Sequence, residues 1–299
     1  DELKNADIPL ESIDAVIGRG GLVKPIASGV YRVNEAMKKD LLECKRGEHA
    51  SNLGGLIAAD IAHLLPSAEA FIADPVVVDE LDPLARYSGH PAFERTSIFH
   101  ALNQKAIARS HANSIMKKYE DLNLIVVHLG GGITVGAHRK GKVVDVNQGL
   151  DGDGPFSPER SGTVPVGALL KAAFSGKYDY DEMYAMIVGK GGMMAYLGTN
   201  DAYLAEKEAK DGDDKSRRVL EAMAYQVAKE IGAMSTVLKG EVDAILITGG
   251  IANSKWFCNQ VIERVYRIAP VHSGQDEMGA LAENALLALN GDIEIKEYQ

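Results

Sequence analysis

The chain has 299 residues, of which 46% are hydrophobic and 25% are charged, and its formal net charge at pH 7 is -10. This length and composition predict a folded protein with one large or two modest hydrophobic cores. The acidic balance argues against a surface that wraps nucleic acid or coats an anionic membrane, so an anionic substrate would need locally placed basic residues.

Cysteine usage and apolar runs predict the compartment. Cys44 and Cys258 lie far apart, in no metal-ligand spacing, so we expect reduced thiols. No apolar run approaches the roughly 20 residues of a transmembrane helix. We therefore expect a cytoplasmic protein that binds neither nucleic acid nor membrane.

The first part of the chain alternates between strand and helix patterns. Short apolar runs typical of buried strands, and helical spacings of apolar residues, lie at 13–17, 34–44, 51–64, 71–78 and 97–118. The last helical pattern ends in a polar cluster, where we place a boundary. The alternation predicts an α/β first domain over residues 1–121.

The second part begins with three strand patterns and ends with helices. Strands are predicted at 123–129, 133–139 and 142–147 as an antiparallel meander, followed by a helix at about 215–239, a strand at 242–248 and helices from about 254 and near 277–289. These elements predict a second domain over residues 122–272. The segment 273–299 is predicted to be a C-terminal helix that returns to the first domain.

A run of three glycines, Gly130 to Gly132 in "VVHLGGGITVGAH", joins the first two strands of this meander. Backbone N–H groups of a tight glycine turn can surround phosphate oxygens, although a ligand-free glycine hairpin is the simpler alternative. A dinucleotide-binding fingerprint would require a helix after the glycines, and no G-x-x-x-x-G-K-[ST] motif occurs. A second turn, Gly249-Gly250 in "ILITGGIANS", strengthens the interpretation as a nucleotide site.

Basic residues on loops are candidates for stabilising a transferred phosphoryl group. Arg19 follows a strand in "AVIGRGG", where its guanidinium can bind a carboxylate through two hydrogen bonds, or can simply be a surface arginine. "GDGPFSPERSGTVP" places Asp153, Glu159 and Arg160 on one loop, with a local Glu159–Arg160 ion pair as the alternative. His100 lies in an apolar stretch, where a single histidine is usually a core residue.

Acidic candidates lie at a strand end and at a helix start. Asp79 follows the strand in "ADPVVVD", a position that commonly faces a ligand in α/β sheets, and Asp82 competes with it for this role. Asp276 and Glu277 begin the last helix, either as capping charges or as magnesium ligands.

Long segments of the chain together resemble the acetate kinase family. The resemblance rests on "IGRGGLVKPI", "DPVVVDELDPLARYSG", "RTSIFHALNQKAIAR", "VVHLGGGITVGAH", "VVDVNQGLDGDGPFSPERSGTVPVG", "GKGGMMAYLGTND", "EAMAYQVAKEIGAM" and "ITGGIANS". Within the family, "DGDGPFSPERSGT" and "FHALNQKA" favour the butyrate kinases. The resemblance implies an α/β fold with two actin-like (ribonuclease H-like) domains and an interdomain nucleotide cleft.

The resemblance also implies a reaction and a set of site residues. ATP and butyrate would give ADP and butyryl phosphate by direct in-line transfer with magnesium, in a homo-oligomer built from dimers. Arg19 would bind the substrate carboxylate, His100 and Arg160 would stabilise the transferring group, and Asp79 would orient the substrate or a metal-bound water. The implied nucleotide-binding residues are His128, Leu129, Gly130, Gly131, Gly132, Asn200, Asp201, Gly249, Gly250 and Asn253; the implied metal-supporting residues are Glu277 and Asp276.

One family feature is missing from the sequence, and two alternative functions stay open. Butyrate kinases begin with a hairpin that carries an N-P-G-S-T-S phosphate loop, which residues 1–18 do not resemble, so we expect this chain alone to be poorly active. The first alternative is a kinase for another short acid, such as acetate, propionate or isobutyrate. The second is an actin-like protein that uses ATP as a switch without transfer activity.

Overall fold

The computed structural model describes residues 2–47, 49–274 and 277–299. Within these ranges the strands are β1 Ala15–Arg19, β2 Val30–Arg32, β3 Glu69–Ala73, β4 Asn123–Leu129, β5 Ile133–Arg139, β6 Lys142–Val146, β7 Ala244–Thr248, β8 Val271–Ser273 and β9 Ile295–Glu297. The α-helices are α1 Glu2–Asn5, α2 Glu35–Leu42, α3 Asn52–His63, α4 Ala101–Ser114, α5 Val166–Ala173, α6 Tyr180–Ile187, α7 Gly192–Leu197, α8 Ala202–Lys210, α9 Asp214–Val237, α10 Lys255–Val265 and α11 Glu277–Leu289. None of the described helices is long and apolar enough to cross a membrane.

The chain divides into two compact units. The first consists of Asp1–Asp79, Ala101–Ala106 and Asp276–Gln299, and the second of Glu80–His100 and Ile107–Gln275. The boundaries predicted from the sequence, after residues 121 and 272, stay predictions.

The first unit is built on a four-stranded mixed sheet in the order β1-β3-β2-β9. Strand β1 is parallel to β3, whereas β2 is antiparallel to β3 and parallel to β9. Buried side chains of β2 and β3 pack against α4 and α11; they are Val30, Phe71, Ala73, Leu102, Ala106, Ala280 and Ala288. Helix α3 lies directly on β1, because a Cβ at Gly54 would fall within 3.0 Å of the Arg19 carbonyl carbon. This packing fixes the backbone at the end of β1, where Arg19 lies.

The second unit is built on a five-stranded sheet in the order β6-β5-β4-β7-β8. Strands β4, β5 and β6 form the predicted antiparallel meander, and β7 and β8 continue the sheet in parallel with β4. All residues of β4 and β7 are buried, because α9 and α10 cover one face of the sheet and α4 covers the other. Such two-sided burial explains the uninterrupted apolar runs at 124–127 and 244–247.

The strand predicted at 71–78 is shorter in the structure and ends at Ala73. Asp74 has a positive φ of 37°, and its carboxylate accepts hydrogen bonds from Ser28 Oγ at 2.5 Å and from the Gly29 N–H at 2.9 Å. The next residue, Pro75, has no N–H to continue a ladder. The chain therefore turns before Val76, although the apolar run continues.

Candidate active site

The turn at residues 130–132, called the glycine turn below, joins the ends of β4 and β5. Within it the Gly130 N–H donates to the Gly132 carbonyl at 3.1 Å. A Cβ at Gly130 would lie 2.8 Å from His128 Nε2, and one at Gly132 would lie 2.7 Å from the Arg160 guanidinium carbon. The absence of side chains therefore lets a histidine and an arginine reach the turn. Of the three glycines, Gly131 is exposed, and exposed glycine backbone is what an approaching phosphate group requires.

The second glycine turn, residues 249–250, lies beside the first. Strands β4 and β7 are parallel neighbours, with His128 opposite Thr248, so their carboxyl ends meet at the same sheet edge. Gly249 has a φ of 92°, and a Cβ there would lie 2.7 Å from the Leu129 carbonyl carbon. The chain then forms a 3-10 turn at Gly250–Asn253, in which Asn253 is exposed. The structure thus brings Leu129, both glycine turns and Asn253 together.

His100 lies at the N-terminus of α4 and is directed to the same edge of the sheet. Its Nδ1 is 2.9 Å from Thr134 Oγ1. Its ring stacks on that of His128, with a centroid distance of 3.7 Å and an interplanar angle of 11°. Thr134 is opposite His128 in the β4–β5 register. These contacts fix the orientation of the predicted catalytic histidine.

Arg160 is held by a turn that docks on the glycine turn. Ser157 Oγ donates to the Gly131 carbonyl at 2.6 Å and accepts from the Arg160 N–H at 3.1 Å. The Arg160 guanidinium donates to the Gly149 carbonyl. Gly149 in turn donates its N–H to the Ile98 carbonyl at 2.8 Å. The sequence-predicted Arg160 and His100 are thus both anchored beside residues 130–132.

The Arg160 guanidinium is partly desolvated. Burial lowers its pKa, while the nearby Glu159, Tyr184 and Asp151 act in the opposite direction. An arginine stays charged at neutral pH in proteins, and a charge with little solvent around it interacts more strongly with an approaching anion. The position is suited to a phosphoryl group that gains negative charge on its oxygens.

A small pocket lies against this arginine. It is lined by Ile133, Gln148, Gly149, Leu150, Gly152, Asp153, Pro155, Ser157, Arg160 and Gly162. The lining combines the Arg160 guanidinium with the Asp153 carboxylate and with both polar and apolar groups.

Asn200 and Asp201, predicted to lie near the adenosine, have different structural roles. Asn200 Nδ2 donates to Glu159 Oε1 at 2.7 Å, and this contact connects it to the neighbourhood of the glycine turn. The Asp201 carboxylate caps α8, because it accepts from the N–H groups of Tyr203 at 2.9 Å and Leu204 at 3.0 Å. Any role of these residues toward a nucleotide stays a prediction.

Arg19 and Asp79 belong to the first unit. Arg19 ends β1 opposite Ala73, and the Asp79 N–H donates to the Ile26 carbonyl at 2.9 Å. Asp82, the competitor of Asp79, forms an ion pair with Arg139 Nη2 at 2.5 Å. This pair gives Asp82 a structural role and favours Asp79 as the candidate carboxylate.

The predicted metal residues lie outside what the structure describes. Asp276 is outside the described residues, and of Glu277 only the backbone, at the start of α11, is described. In the remaining described chain, no group of three or more His, Cys, Asp or Glu residues has a metal-binding arrangement. Magnesium support by Asp276 and Glu277 stays a prediction.

Sequence reasoning missed the residues that hold the site together. Thr134, Ser157 and Gly149 carry no motif of their own. The remaining signal was their position: Thr134 follows the glycine turn by two residues, and Ser157 precedes Arg160 in the same loop. Contacts between distant loops leave no periodic trace in a sequence.

The two-sheet α/β fold has close counterparts among solved structures. Among solved structures, acetate kinase of Porphyromonas gingivalis is similar with a TM-score of 0.80 and 19% identity, over 93% of this chain and 79% of that one. A propionate kinase of Francisella tularensis is similar with a TM-score of 0.77 and 19% identity, over 95% and 81% of the respective chains. These similarities confirm the predicted actin-like fold, whereas the predicted placement of the nucleotide stays a prediction.

Sequence comparison gives the family. The Acetokinase family model matches residues 93–276. Butyrate kinase 1 of Clostridium acetobutylicum is 55% identical over 301 residues, covering 100% of this chain and 84% of that relative. The chain belongs to the acetokinase family of carboxylate kinases, as its motifs predicted.

Proposed function

We propose that this protein transfers the γ-phosphoryl group of ATP to butyrate, giving butyryl phosphate and ADP. The observation that carries the proposal is the partly desolvated Arg160 guanidinium against the glycine turn, with His100 held beside it. The choice of butyrate follows the 55% identical relative named Butyrate kinase 1.

Each site residue has one role in the proposed in-line transfer. A carboxylate nucleophile is already ionised at neutral pH, so the site needs no general base. Residues 130–132 and 249–250 would receive the nucleotide phosphates. Arg160 would supply positive charge, and His100 would supply a hydrogen bond, to the phosphoryl group during transfer. Arg19 would bind the butyrate carboxylate, and Asp79 would orient it. Magnesium, when bound, would neutralise phosphate charge.

Replacement of Arg160 tests this assignment. We expect Arg160→Ala to lower kcat by about 100-fold to 1,000-fold, the range seen when one charge-stabilising donor is removed, and Arg160→Lys to recover only part of it because the planar fork is lost. The measurement traps acyl phosphate with hydroxylamine. Arg218→Ala, at an exposed position of α9, is the matched control and should leave the rate unchanged.

The same assay separates the alternatives. A panel of acetate, propionate, butyrate, isobutyrate and valerate ranks the acids, with neighbouring lengths differing by about 1–3 kcal/mol. Clear preference for acetate would remove the butyrate assignment. Nucleotide-dependent assembly without any acyl phosphate would instead support the ATP-switch alternative.

We also infer a homo-oligomer built from dimers. Helix α5 supports this because none of its residues is buried, and Val166, Leu170 and the adjacent Phe174 are 66%, 53% and 87% exposed. An apolar stretch of this kind on an acidic chain is typical of an interaction surface. Light scattering should show a multimer for the native chain and a smaller species for Leu170→Asp. A monomeric native chain would contradict the inference.

We also propose that the protein is cytoplasmic. Both cysteines, Cys44 and Cys258, are free thiols in the structure, which supports a reducing compartment.

A further inference from the structure

Glu159 is the acidic residue beside the glycine turn, and it contacts three separate segments. Its N–H donates to the Gly131 carbonyl at 3.3 Å, and its carbonyl accepts from the Gly189 N–H at 2.8 Å. Its Oε1 accepts from Asn200 Nδ2 at 2.7 Å. The backbone and the side chain of Glu159 are therefore both held in place.

The carboxylate of Glu159 faces the backbone of the turn. A Cβ at Gly131 would lie 3.5 Å from both the carboxylate carbon and Oε2 of Glu159. Gly131 itself is exposed. An anion that approaches Gly131 would therefore meet a negative charge at short range in addition to the positive charge of Arg160.

This charge affects different forms of a nucleotide unequally. Free ATP carries about two more negative charges than its magnesium complex, so a nearby carboxylate repels it more strongly. The repulsion is short-ranged because salt screens charges beyond about 8–10 Å. A carboxylate placed within van der Waals reach of the turn is inside that range.

We propose that Glu159 is a specificity-determining residue, which makes the glycine turn select cation-complexed nucleotide over free nucleotide. This inference rests on the proposed function, because it assumes that residues 130–132 receive nucleotide phosphates. The hydrogen bond to Asn200 fixes where the carboxylate lies. The carboxylate opposes binding of the uncomplexed anion.

Glu159→Gln tests the proposal, because it removes the charge and keeps an amide oxygen for Asn200. Binding of ATP is measured by calorimetry in excess EDTA and again in excess Mg²⁺. We expect Glu159→Gln to tighten binding of free ATP by about 3-fold to 10-fold, where 10-fold corresponds to about 1.4 kcal/mol. Binding of the magnesium complex should change by less than about 2-fold. The preference for the complex would then fall.

Two further variants separate charge from structure. Glu263→Gln makes the same charge change at an exposed position of α10 and should leave the preference unchanged. Asn200→Ala removes the hydrogen bond that fixes the carboxylate and keeps the charge, so its preference for the complex should lie between those of the native chain and Glu159→Gln. An unchanged preference in Glu159→Gln, or an equal fall in Glu263→Gln, would overturn the proposal while leaving the proposed function intact. If the native chain bound neither form of ATP, the proposed function would fail and this inference with it.

Discussion

At the scale of single residues, three glycines of the site differ in what an added Cβ would meet. A Cβ at Gly132 would collide with the guanidinium of Arg160, whereas one at Gly249 would collide with the backbone of Leu129. A Cβ at Gly250 would meet no atom within 4 Å. Because a side chain can move and a backbone cannot, alanine at these positions should have three distinguishable effects.

Gly132→Ala should impair catalysis more than folding. The added methyl group displaces the flexible end of Arg160, so we expect the rate of phosphoryl transfer to fall by about 10-fold to 100-fold, a large part of what the arginine contributes. The free energy of unfolding should change by less than about 1 kcal/mol. Acyl phosphate trapping measures the rate, and urea unfolding measures the free energy of unfolding. A loss of stability large enough to account for the loss of rate would contradict the assignment.

Gly249→Ala should impair folding itself. At a φ of 92° an alanine adopts a sparsely populated conformation that costs about 1–3 kcal/mol, and the collision with Leu129 adds to this cost. Urea unfolding should show the loss. Gly250→Ala, the neighbouring control, should be nearly neutral, and similar losses for both variants would argue against the backbone contact as the cause.

At the scale of elements, a partly buried charge network connects β6 to the loop that carries Arg160. Arg95 Nη1 lies 2.9 Å from Asp145 Oδ1 on β6, and Arg95 Nη2 lies 3.6 Å from Asp153 Oδ2. Burial, together with the nearby Asp153 and Asp145, raises the pKa of Glu230 on α9 from 4.5 to about 7, although Arg95 and Lys229 act in the opposite direction. Arg95 thus forms ion pairs with Asp145 and Asp153 and interacts electrostatically with Glu230.

Glu230 should make the stability of the protein depend on pH. Its carboxyl holds a proton in the folded state up to about pH 7 and loses it near 4.5 when unfolded, so its ionisation lowers the free energy of unfolding as pH rises through this window. Glu230→Gln removes that penalty. We expect a gain of about 1–3 kcal/mol at pH 8 and little change at pH 4.5, at about 1.4 kcal/mol per pKa unit. Urea unfolding at both values measures it, and an equal effect at both would exclude ionisation as the cause.

How well the elements could be predicted depended on their length and periodicity. The meander β4–β6, the long helix α9 and the strand β7 each have a sustained apolar pattern, and the sequence placed them within a few residues. Strands β2, β8 and β9 have three residues each, too few to show a period. Helices α5 and α6 bury no residue, so no buried face marks them.

The first unit joins sequence-distant segments at the scale of the whole molecule. Strand β9 lies parallel to β2, and Tyr298 follows it as a buried residue. The Tyr298 hydroxyl donates to Asp40 Oδ2 at 2.7 Å and accepts from the Lys24 N–H at 3.0 Å. Burial raises the pKa of Tyr298 to about 12, so the hydroxyl remains a donor at neutral pH.

Tyr298→Phe should therefore weaken the first unit. The variant keeps the ring and removes two hydrogen bonds, one to the Asp40 carboxylate and one from the Lys24 N–H. The bond to the charged group alone predicts a loss of about 1.5–3 kcal/mol in the free energy of unfolding. Hydrogen exchange should localise the loss to residues around β2 and α2. Tyr266→Phe, at an exposed position after α10, is the control; equal losses would show that the effect is not specific.

The site was predictable where chemistry marks single residues and unpredictable where it depends on contacts. Arg160, His100 and both glycine turns stand out because their residue types serve phosphate chemistry, and the structure brings them together. Their supports, Thr134 and Ser157, are common residues whose importance comes from which distant loop each one touches. Such information is created by the fold.

The backbone contact between Gly249 and Leu129 has a genetic consequence. The atoms that exclude a side chain at Gly249 are backbone atoms of Leu129. The carbonyl group is the same whichever amino acid occupies position 129. No substitution at the contact itself can rescue a Gly249 mutant, so suppressors must map elsewhere. A Gly132 mutant differs, because a shorter side chain at position 160 would relieve the collision. The same substitution would remove the guanidinium. The double mutant would therefore be free of the collision but would lack activity.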